Sequence, residues 1–186
     1  MNRLRTDERG LTLIELLVYI LLLVLVLMVA GGFLGNTLIQ SKTVRAVNDN
    51  STVAQLAVDS IEVGIRNSSD YSLTSPVGTD QMLVARVASK GTTLTWSCAA
   101  WYYSATAGSL RMSRSSTQII APTTEQLATW TLLHDRVFPI GGTSIFTTSG
   151  RRLTIAFNGQ AVGYPPVAIN TSAFSRAGAT GSVSCF

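Results

Sequence analysis

Glu15 is the residue whose position first suggests chemistry in this sequence. It stands at the front of an uncharged stretch that runs from Leu16 to Ser41. An ionised carboxylate at the edge of a hydrocarbon-spanning helix costs about 2.5 kcal/mol or more, so it indicates a function and needs a cationic partner. Cleavage after Gly10 would supply that partner. It would expose a new α-amino group on Leu11, about one helical turn away in the same chain and able to approach Glu15 of a neighbouring copy.

The residues from Arg9 to Leu17 follow a specific order: a glycine after a polar leader, then Glu15 at the start of an apolar run. This order resembles the cleavage and methylation motif of type IV prepilins and of the pseudopilins of type II secretion systems. The resemblance implies that a membrane-embedded prepilin peptidase cuts after Gly10 on the cytoplasmic side and methylates Leu11. It also implies that the apolar helix becomes the filament core. Leu11 departs from the phenylalanine that is usual in the family, a difference that concerns methylation more than cleavage.

The apolar run from Leu16 to about Leu34 predicts a membrane span. At 1.5 Å per residue it is long enough to cross a hydrocarbon core of about 30 Å. A secretory signal peptide is the alternative, but its apolar region would be only about 7 to 15 residues long. The leader carries its positive charges at Arg3, Arg5 and Arg9, which favours a cytoplasmic N-terminus. We therefore expect the folded domain to lie outside the inner membrane.

The spacing of apolar residues divides the chain into four predicted segments. Residues 1–10 form a leader peptide, 11–35 a transmembrane and filament-core helix, 36–70 an amphipathic continuation of that helix, and 71–186 a globular β-rich domain. The continuation is predicted because apolar residues recur at alternating steps of three and four, which places them on one stripe of a helix. We expect the stripe to pack against the domain's own sheet, with a coiled coil with another subunit as the alternative. The stripe consists of Val44, Val47, Ser51, Ala54, Val58, Ile61 and Ile65, with Val53 and Leu56 beside it.

Gly31 and Gly32 interrupt the apolar run, and each costs about 1 kcal/mol relative to alanine in a helix interior. We expect this pair, together with Gly35, to form a flexible point of the helix. Filament-forming relatives often carry a proline in this region, where the helix kinks or unwinds on assembly. Close packing of small residues between membrane helices explains the glycines equally well.

Beyond residue 70 the pattern changes to segments rich in aromatic, threonine and branched residues, which predicts strands. An antiparallel sheet with one face on the helical stripe would bury both surfaces. The sequence therefore predicts an α+β, pilin-like fold, in which a long N-terminal helix, membrane-spanning in its first half, packs on an antiparallel β-sheet domain. The expected strands are 82–87, 93–103, 110–113, 130–133 and 152–157, and 164–186 is expected to be an irregular loop. One part of this half resembles minor pilins and minor pseudopilins, which prime or cap a filament tip. That part is an aromatic strand with Cys98 and residues 101–103, a turn, Leu110-Arg111 and then residues 132–137.

Cys98 and Cys185 are the only cysteines, and an exported domain permits a disulfide between them. The bridge would close a long loop and contribute about 3 to 5 kcal/mol on a chain-entropy estimate. Two separately buried thiols are the alternative. Trp96 and Trp101 are expected to be core and sheet residues, with an exposed ligand platform as the other interpretation.

Catalytic, metal and nucleic-acid sites find no support in the sequence. His134 is the only histidine, and its neighbour Asp135 cannot easily orient it, because adjacent side chains diverge. The remaining acids are dispersed, so we expect no enzyme activity, no metal site and no cofactor. A net charge of +4 without a run of lysine or arginine gives no convincing nucleic-acid signal.

The favoured hypothesis is a structural subunit, a minor pilin or pseudopilin of a type IV pilus-like or type II secretion filament. Its partners would be other pilin or pseudopilin subunits, the prepilin peptidase, the inner-membrane assembly platform, indirectly the assembly ATPase, and membrane lipid. Glu15 would pair with the amino group of Leu11 from a neighbouring subunit in a periplasmic or cell-surface filament. The alternative is a membrane-anchored or secreted binding or adhesion domain, cut near Ala30 in the secreted form. Pilus, secretion and competence systems share the same N-terminal signal.

Overall fold

A computed structural model of the chain describes residues 12–89, 93, 95–175 and 184–186. The described residues divide into two compact units, one ending at Val44 and the other beginning at Arg45. Helix α1 (Leu13–Arg66) contributes residues to both units. It is followed by β1 (Ser68–Thr74), β2 (Gln81–Ala88), β3 (Trp96–Ser104), β4 (Ser109–Ser115), α2 (Thr124–Thr129), β5 (Thr131–His134), β6 (Val137–Pro139), β7 (Phe146–Ser149), β8 (Arg152–Gly159) and β9 (Val167–Phe174).

The first unit consists of the N-terminal part of α1. An 18-residue window of the helix reaches a mean hydropathy of 3.1, and none of its residues is buried within the chain. A helix that is apolar all round needs an apolar environment. The helix is therefore long and apolar enough to cross a membrane, as the sequence predicts.

The second unit begins with the remainder of α1, which buries one face in the domain core. The predicted stripe is buried at Ala54, Val58, Ile61 and Ile65. Within the stripe the prediction is wrong at Val44, which is 58% exposed. Val53 and Leu56, predicted beside the stripe, are exposed as well. The buried face is completed instead by Asn50, Ala57 and Gly64. The helix ends at Arg66 and β1 begins at Ser68, so the last residues of the predicted 36–70 segment belong to a strand.

Gly64 allows Trp101 of β3 to approach α1 closely. A Cβ atom at Gly64 would lie 2.2 Å from Cη2 and 2.7 Å from Cζ2 of the indole. Trp101 is fully buried, and its Nε1 donates a hydrogen bond to Ser60 Oγ at 3.3 Å. The prediction that Trp101 belongs to the core is confirmed.

The strands form two antiparallel sheets rather than the single sheet that the sequence suggested. The first sheet has the order β1-β2-β3-β4-β5. In the second, β8 is central and pairs with β9 on one side and with β6 and β7 on the other. The prediction of an irregular loop over 164–186 is wrong, because β9 pairs with β8 from Phe174 opposite Arg152 to Val167 opposite Gly159. Val167–Phe174 mixes apolar and polar residues without a clear period, and pairing with the central strand β8 makes it a strand.

Side chains of the first sheet bind the backbone of the second. Gln81 of β2 is buried, and its Nε2 donates to Phe146 O at 2.8 Å. Its Oε1 accepts from the backbone N–H of Ile145 at 2.7 Å and of Phe146 at 2.9 Å. The Tyr71 hydroxyl donates to Gly150 O at 3.3 Å. Because buried polar groups need partners, these bonds specify how the two sheets meet around one core. That core includes Ala54, Ile61, Leu83, Trp101, Leu110, Val137, Phe146, Leu153, Ile155 and Phe157.

The first sheet is also covered on its other face. Met82, Val84, Ala100 and Tyr102 form a second apolar cluster with Cys98 and Cys185, and the segment 116–130 packs on it through Ile119, Leu127 and Trp130. This double covering explains why β2 and β3 are almost continuously buried. The same face holds the predicted disulfide between Cys98 and Cys185, whose Cα atoms are 5.5 Å apart.

Gly64→Ala should destabilise the domain. Alanine favours helix by about 1 kcal/mol over glycine, but the added methyl group collides with the Trp101 ring, and overpacking costs about 1 to 3 kcal/mol or more. We expect a lower free energy of unfolding in denaturant titrations of the whole protein in detergent. Gly35→Ala is the control, because a Cβ there meets nothing within 4 Å. Equal unfolding free energies for Gly64→Ala and the wild type would contradict the close approach.

Loss of the disulfide should destabilise the domain as well. The bridge joins residues 87 positions apart, and closing a loop of that size contributes about 4 to 5 kcal/mol on a chain-entropy estimate. We expect the paired replacement Cys98→Ala and Cys185→Ala to lower the unfolding free energy by a comparable amount in denaturant titrations. A thiol reductant should lower the wild-type value and leave the double variant unchanged. A reductant effect of equal size in both proteins would contradict this assignment.

Candidate functional site

Helix α1 begins at a cap formed by Thr12. The backbone N–H of Glu15 donates to Thr12 Oγ1 at 3.4 Å, and that of Leu16 donates to Thr12 O at 3.1 Å. Threonine followed three residues later by glutamate is the spacing of a capping box. Glu15 therefore lies in the first turn, where the helix dipole favours a negative charge.

The Glu15 carboxylate has one side-chain partner among the described residues. The hydroxyl of Tyr19, one turn further along the helix, donates to Glu15 Oε1 at 3.3 Å. Within the same described residues, Glu15 forms no ion pair, so the cation that the sequence analysis calls for has to come from elsewhere. Sequence reasoning missed Tyr19, although its i, i+4 spacing from a carboxylate is a recognisable signal.

Gly10 and Leu11, the predicted cleavage and methylation residues, lie outside the described residues. Cleavage after Gly10 and methylation of Leu11 therefore stay predictions. The nearest described residue is Thr12, directly before the helix. An amino group created at Leu11 would lie one residue before the cap and four residues before Glu15 in the same chain.

Gly31 and Gly32 lie within the uninterrupted helix α1. A Cβ atom at either residue, or at Gly35, would have no neighbour within 4 Å. No close contact among the described residues therefore requires glycine at these positions. A flexible point and close packing against another helix both stay open, and the flexible point stays a prediction.

His134 occupies a buried polar network in the domain. Its Nε2 lies 3.0 Å from Asn50 Oδ1, and its Nδ1 accepts the backbone N–H of Arg136 at 3.1 Å. This arrangement fixes the neutral tautomer with the proton on Nε2, because Nδ1 serves as an acceptor. Asn50 Nδ2 donates to Gly159 O at 2.9 Å, so the network joins α1 to β5 and β8. A Cβ at Gly159 would lie 2.8 Å from His134 Nε2, which explains the glycine.

The tryptophans do not present a common binding surface. Trp101 is fully buried, which rules it out as an exposed platform. Trp96 is half-buried, and the guanidinium carbon of Arg86 lies 5.6 Å from its ring centroid. Trp130 packs edge to face on Tyr102, with ring centroids 6.3 Å apart. The Trp130–Tyr102 pair therefore stabilises the covering of the first sheet.

A cavity of about 510 Å³ lies beside the β3–β4 turn, lined in part by Asp80, Tyr102 and Leu127. Asp80 Oδ2 accepts the Tyr102 hydroxyl, and Oδ1 accepts the backbone N–H of Ala105, both at 2.7 Å. Burial and this carboxylate raise the pKa of Tyr102 to about 12, so its hydroxyl remains a donor. Asp80 thus holds the turn. Among the described residues, no three His, Cys, Asp or Glu side chains cluster in a way that could hold a metal ion.

Comparison with known proteins gives a match at the N-terminus. A family model described as "Prokaryotic N-terminal methylation motif" matches residues 5–31. The matched range includes Gly10, Leu11, Glu15 and Tyr19, and it ends within the apolar part of α1. Searches of curated proteins and of solved structures found no match.

At pH values below about 6.5, the free energy of unfolding of the domain should decrease because of His134. Burial lowers the pKa of His134 from its ordinary value, and the nearby Asp135 only partly opposes this effect. The unfolded chain binds a proton at a pKa of about 6.5 while the folded one stays neutral. The free energy of unfolding therefore decreases as the pH falls from 6.5 towards the lower folded-state pKa. Denaturant titrations between pH 7.5 and pH 5 should show this slope, which one proton limits to about 1.4 kcal/mol per pH unit.

His134→Gln is the matched variant for that measurement. We expect this variant to be less stable at every pH, because the hydrogen bonds of His134 are altered. Its unfolding free energy should not decrease between pH 6.5 and pH 5 in the same way, since His134 is the only histidine in the chain. The same slope in both proteins would show that another group is responsible.

Proposed function

We propose that this chain, which carries the N-terminal signature of type IV prepilins and pseudopilins, is a minor structural subunit of a type IV pilus-like or type II secretion filament. A prepilin peptidase cleaves it after Gly10 and methylates Leu11. Its role is structural rather than enzymatic. The observation that carries the proposal is Glu15, a carboxylate without an ion-pair partner among the described residues, in the first turn of an otherwise uncharged helix.

Before assembly the subunit is a single-pass protein of the inner membrane. Its apolar helix supplies the anchor, and the arginines of the leader favour a cytoplasmic N-terminus. The domain then folds outside the membrane. The Cys98–Cys185 disulfide supports this orientation, because such bonds persist in oxidising compartments and are rare in the cytosol.

Assembly exchanges the lipid around α1 for the helices of neighbouring subunits. The assembly platform, driven indirectly by its ATPase, draws the subunit out of the membrane. Glu15 then pairs with the amino group of Leu11 from the adjacent subunit. In a low-dielectric filament core the loss of one partner leaves a buried charge, which costs about 3 to 5 kcal/mol. The pair therefore selects a subunit that is in register.

The architecture of the domain favours a minor subunit over the major subunit, which repeats along the filament. Its two sheets share a core with α1, and a further segment and the C-terminus cover the first sheet. A filament core made of helices does not require this much additional structure. A domain of this kind suits a subunit at the tip, where it primes or caps the filament.

Processing at Gly10 should produce a mature chain that begins at Leu11. The measurement is the intact mass and N-terminal sequence of the protein from membranes and sheared filaments. We expect the mature chain to be one methylene group heavier than the unmodified sequence, and Gly10→Val to remain uncut. Gly31→Ala, the control, should be processed normally. A chain that begins after Ala30, independent of Gly10, would instead indicate secretion of a released domain.

Glu15→Ala should be cleaved normally but excluded from filaments. A loss of about 3 to 5 kcal/mol corresponds to a decrease of more than a hundredfold in incorporation at equilibrium. The measurement is the ratio of variant protein in sheared filaments to that in membranes. Leu17→Ala, which truncates an apolar neighbour, should have a much smaller effect. Normal incorporation of Glu15→Ala would contradict the intersubunit ion pair.

A further inference from the structure

We propose that Tyr19 is a positioning residue for Glu15. Its hydroxyl holds one carboxylate oxygen while the subunit lies in lipid and leaves the other oxygen open for the incoming amino group. The inference rests on the proposed function, because that amino group is the one of Leu11 in a neighbouring subunit. It assigns a role beside Glu15 to a second residue of the N-terminal motif region, on the basis of its position in helix α1.

The geometry assigns the two carboxylate oxygens different tasks. Oε1 of Glu15 accepts the Tyr19 hydroxyl at 3.3 Å, whereas Oε2 has no partner among the described residues. The backbone of Glu15 is held separately by its N–H bond to Thr12 Oγ1. The side chain is therefore restrained at its base by the helix cap and at its end by Tyr19. This restraint presents the carboxylate in one orientation before a partner arrives.

In the apolar membrane span, the Tyr19 hydroxyl and the Glu15 carboxylate each need a polar partner. Tyr19 carries the only polar side chain between Leu16 and Leu34. A hydroxyl without a partner is costly in hydrocarbon, and so is a carboxylate. The position one helical turn after Glu15 lets each group satisfy the other. A hydrogen bond to an ionised acceptor is also stronger than one between neutral groups, and more so in a low-dielectric medium.

Tyrosines near a membrane surface also serve as interfacial anchors, with the ring at the headgroup level. That role depends on the ring and its amphipathic character, and it does not require a bond to Glu15. Tyr19→Phe keeps the ring and removes only the hydroxyl, so it isolates the contact. Tyr19→Leu removes both and reports the contribution of the ring.

The contact predicts a sequence of events on assembly. In lipid, the Tyr19 hydroxyl donates to Oε1 and orients the carboxylate. When the neighbouring subunit docks, its amino group binds at Oε2 while Tyr19 remains at Oε1. The carboxylate then has two donors, and no reorientation of its side chain is needed. Without the hydroxyl, the carboxylate rotates freely and docks with a lower probability.

The first test observes the contact directly, without any assembly machinery. The whole protein, labelled with ¹³C at its glutamate carboxylates, is placed in lipid bilayers, and its infrared spectrum is recorded. Subtracting the spectrum of Glu15→Gln isolates the Glu15 band from those of the other glutamates. We expect Tyr19→Phe to shift the carboxylate stretching frequency of Glu15. Thr37→Val is the control, because it removes a hydroxyl bonded to Phe33 O at 2.8 Å in the same helix and leaves Glu15 untouched.

The second test measures incorporation into filaments. We expect Tyr19→Phe to reduce incorporation about tenfold, the scale of one charge-assisted hydrogen bond, at unchanged membrane levels. In a Glu15→Gln background, Tyr19→Phe should have no additional effect, since the group that it positions is absent. Thr37→Val should assemble as the wild type does.

The outcomes separate this inference from the proposed function. Normal assembly of Glu15→Gln would overturn the intersubunit ion pair, and with it the positioning role. The infrared spectrum would still decide whether the contact exists. Failure of Glu15→Gln together with an unchanged band and normal assembly of Tyr19→Phe would overturn the Tyr19 inference alone. A shifted band with normal assembly of Tyr19→Phe would overturn the positioning role and leave a contact that only stabilises the subunit in lipid.

Discussion

The contact between Gly64 and Trp101 determines how closely α1 lies on the first sheet. Because glycine leaves room for the indole, the helix can bury Ala54, Ala57 and Ile61 along one face. Trp101 belongs to β3, the central strand of the first sheet. Its contact with Gly64 therefore sets the position of the helix relative to the strands on both sides of β3. A side chain at residue 64 would collide with the Trp101 ring, so the indole or the helix would have to shift.

Polar side chains provide the specificity that this apolar contact lacks. Gln81 satisfies three backbone groups of the second sheet, and the Asn50–His134 pair joins the helix to both sheets. Each group is buried and has its partners, so a shifted register would leave several of them unsatisfied. Apolar burial holds these layers together, whereas these bonds select one arrangement of them.

The sequence predicts this structure where a regular period or a motif is strong, and fails where tertiary contacts decide. The helical period locates Ala54, Ile61 and Ile65 correctly, yet it passes over Asn50 and Gly64, because neither is apolar. Strand β9 is not predicted, since its mixture of apolar and polar residues has no clear period and becomes a strand through pairing with β8. At the N-terminus the motif identifies Glu15 at once. Tyr19 is not singled out, although its one-turn spacing from Glu15 could have indicated the hydrogen bond that the structure shows.

The bridge between Cys98 and Cys185 has a mechanical consequence. A pull between the N-terminal helix and the C-terminus travels through this covalent link and bypasses the 87 positions that it spans. At about 3.3 to 3.6 Å per residue, roughly 300 Å of contour length is withheld from extension. Only the residues before Cys98 and the last residue of the chain can lengthen under load. Strands β4 to β9 therefore stay outside the line of force, and the tension falls on α1, β1 and β2.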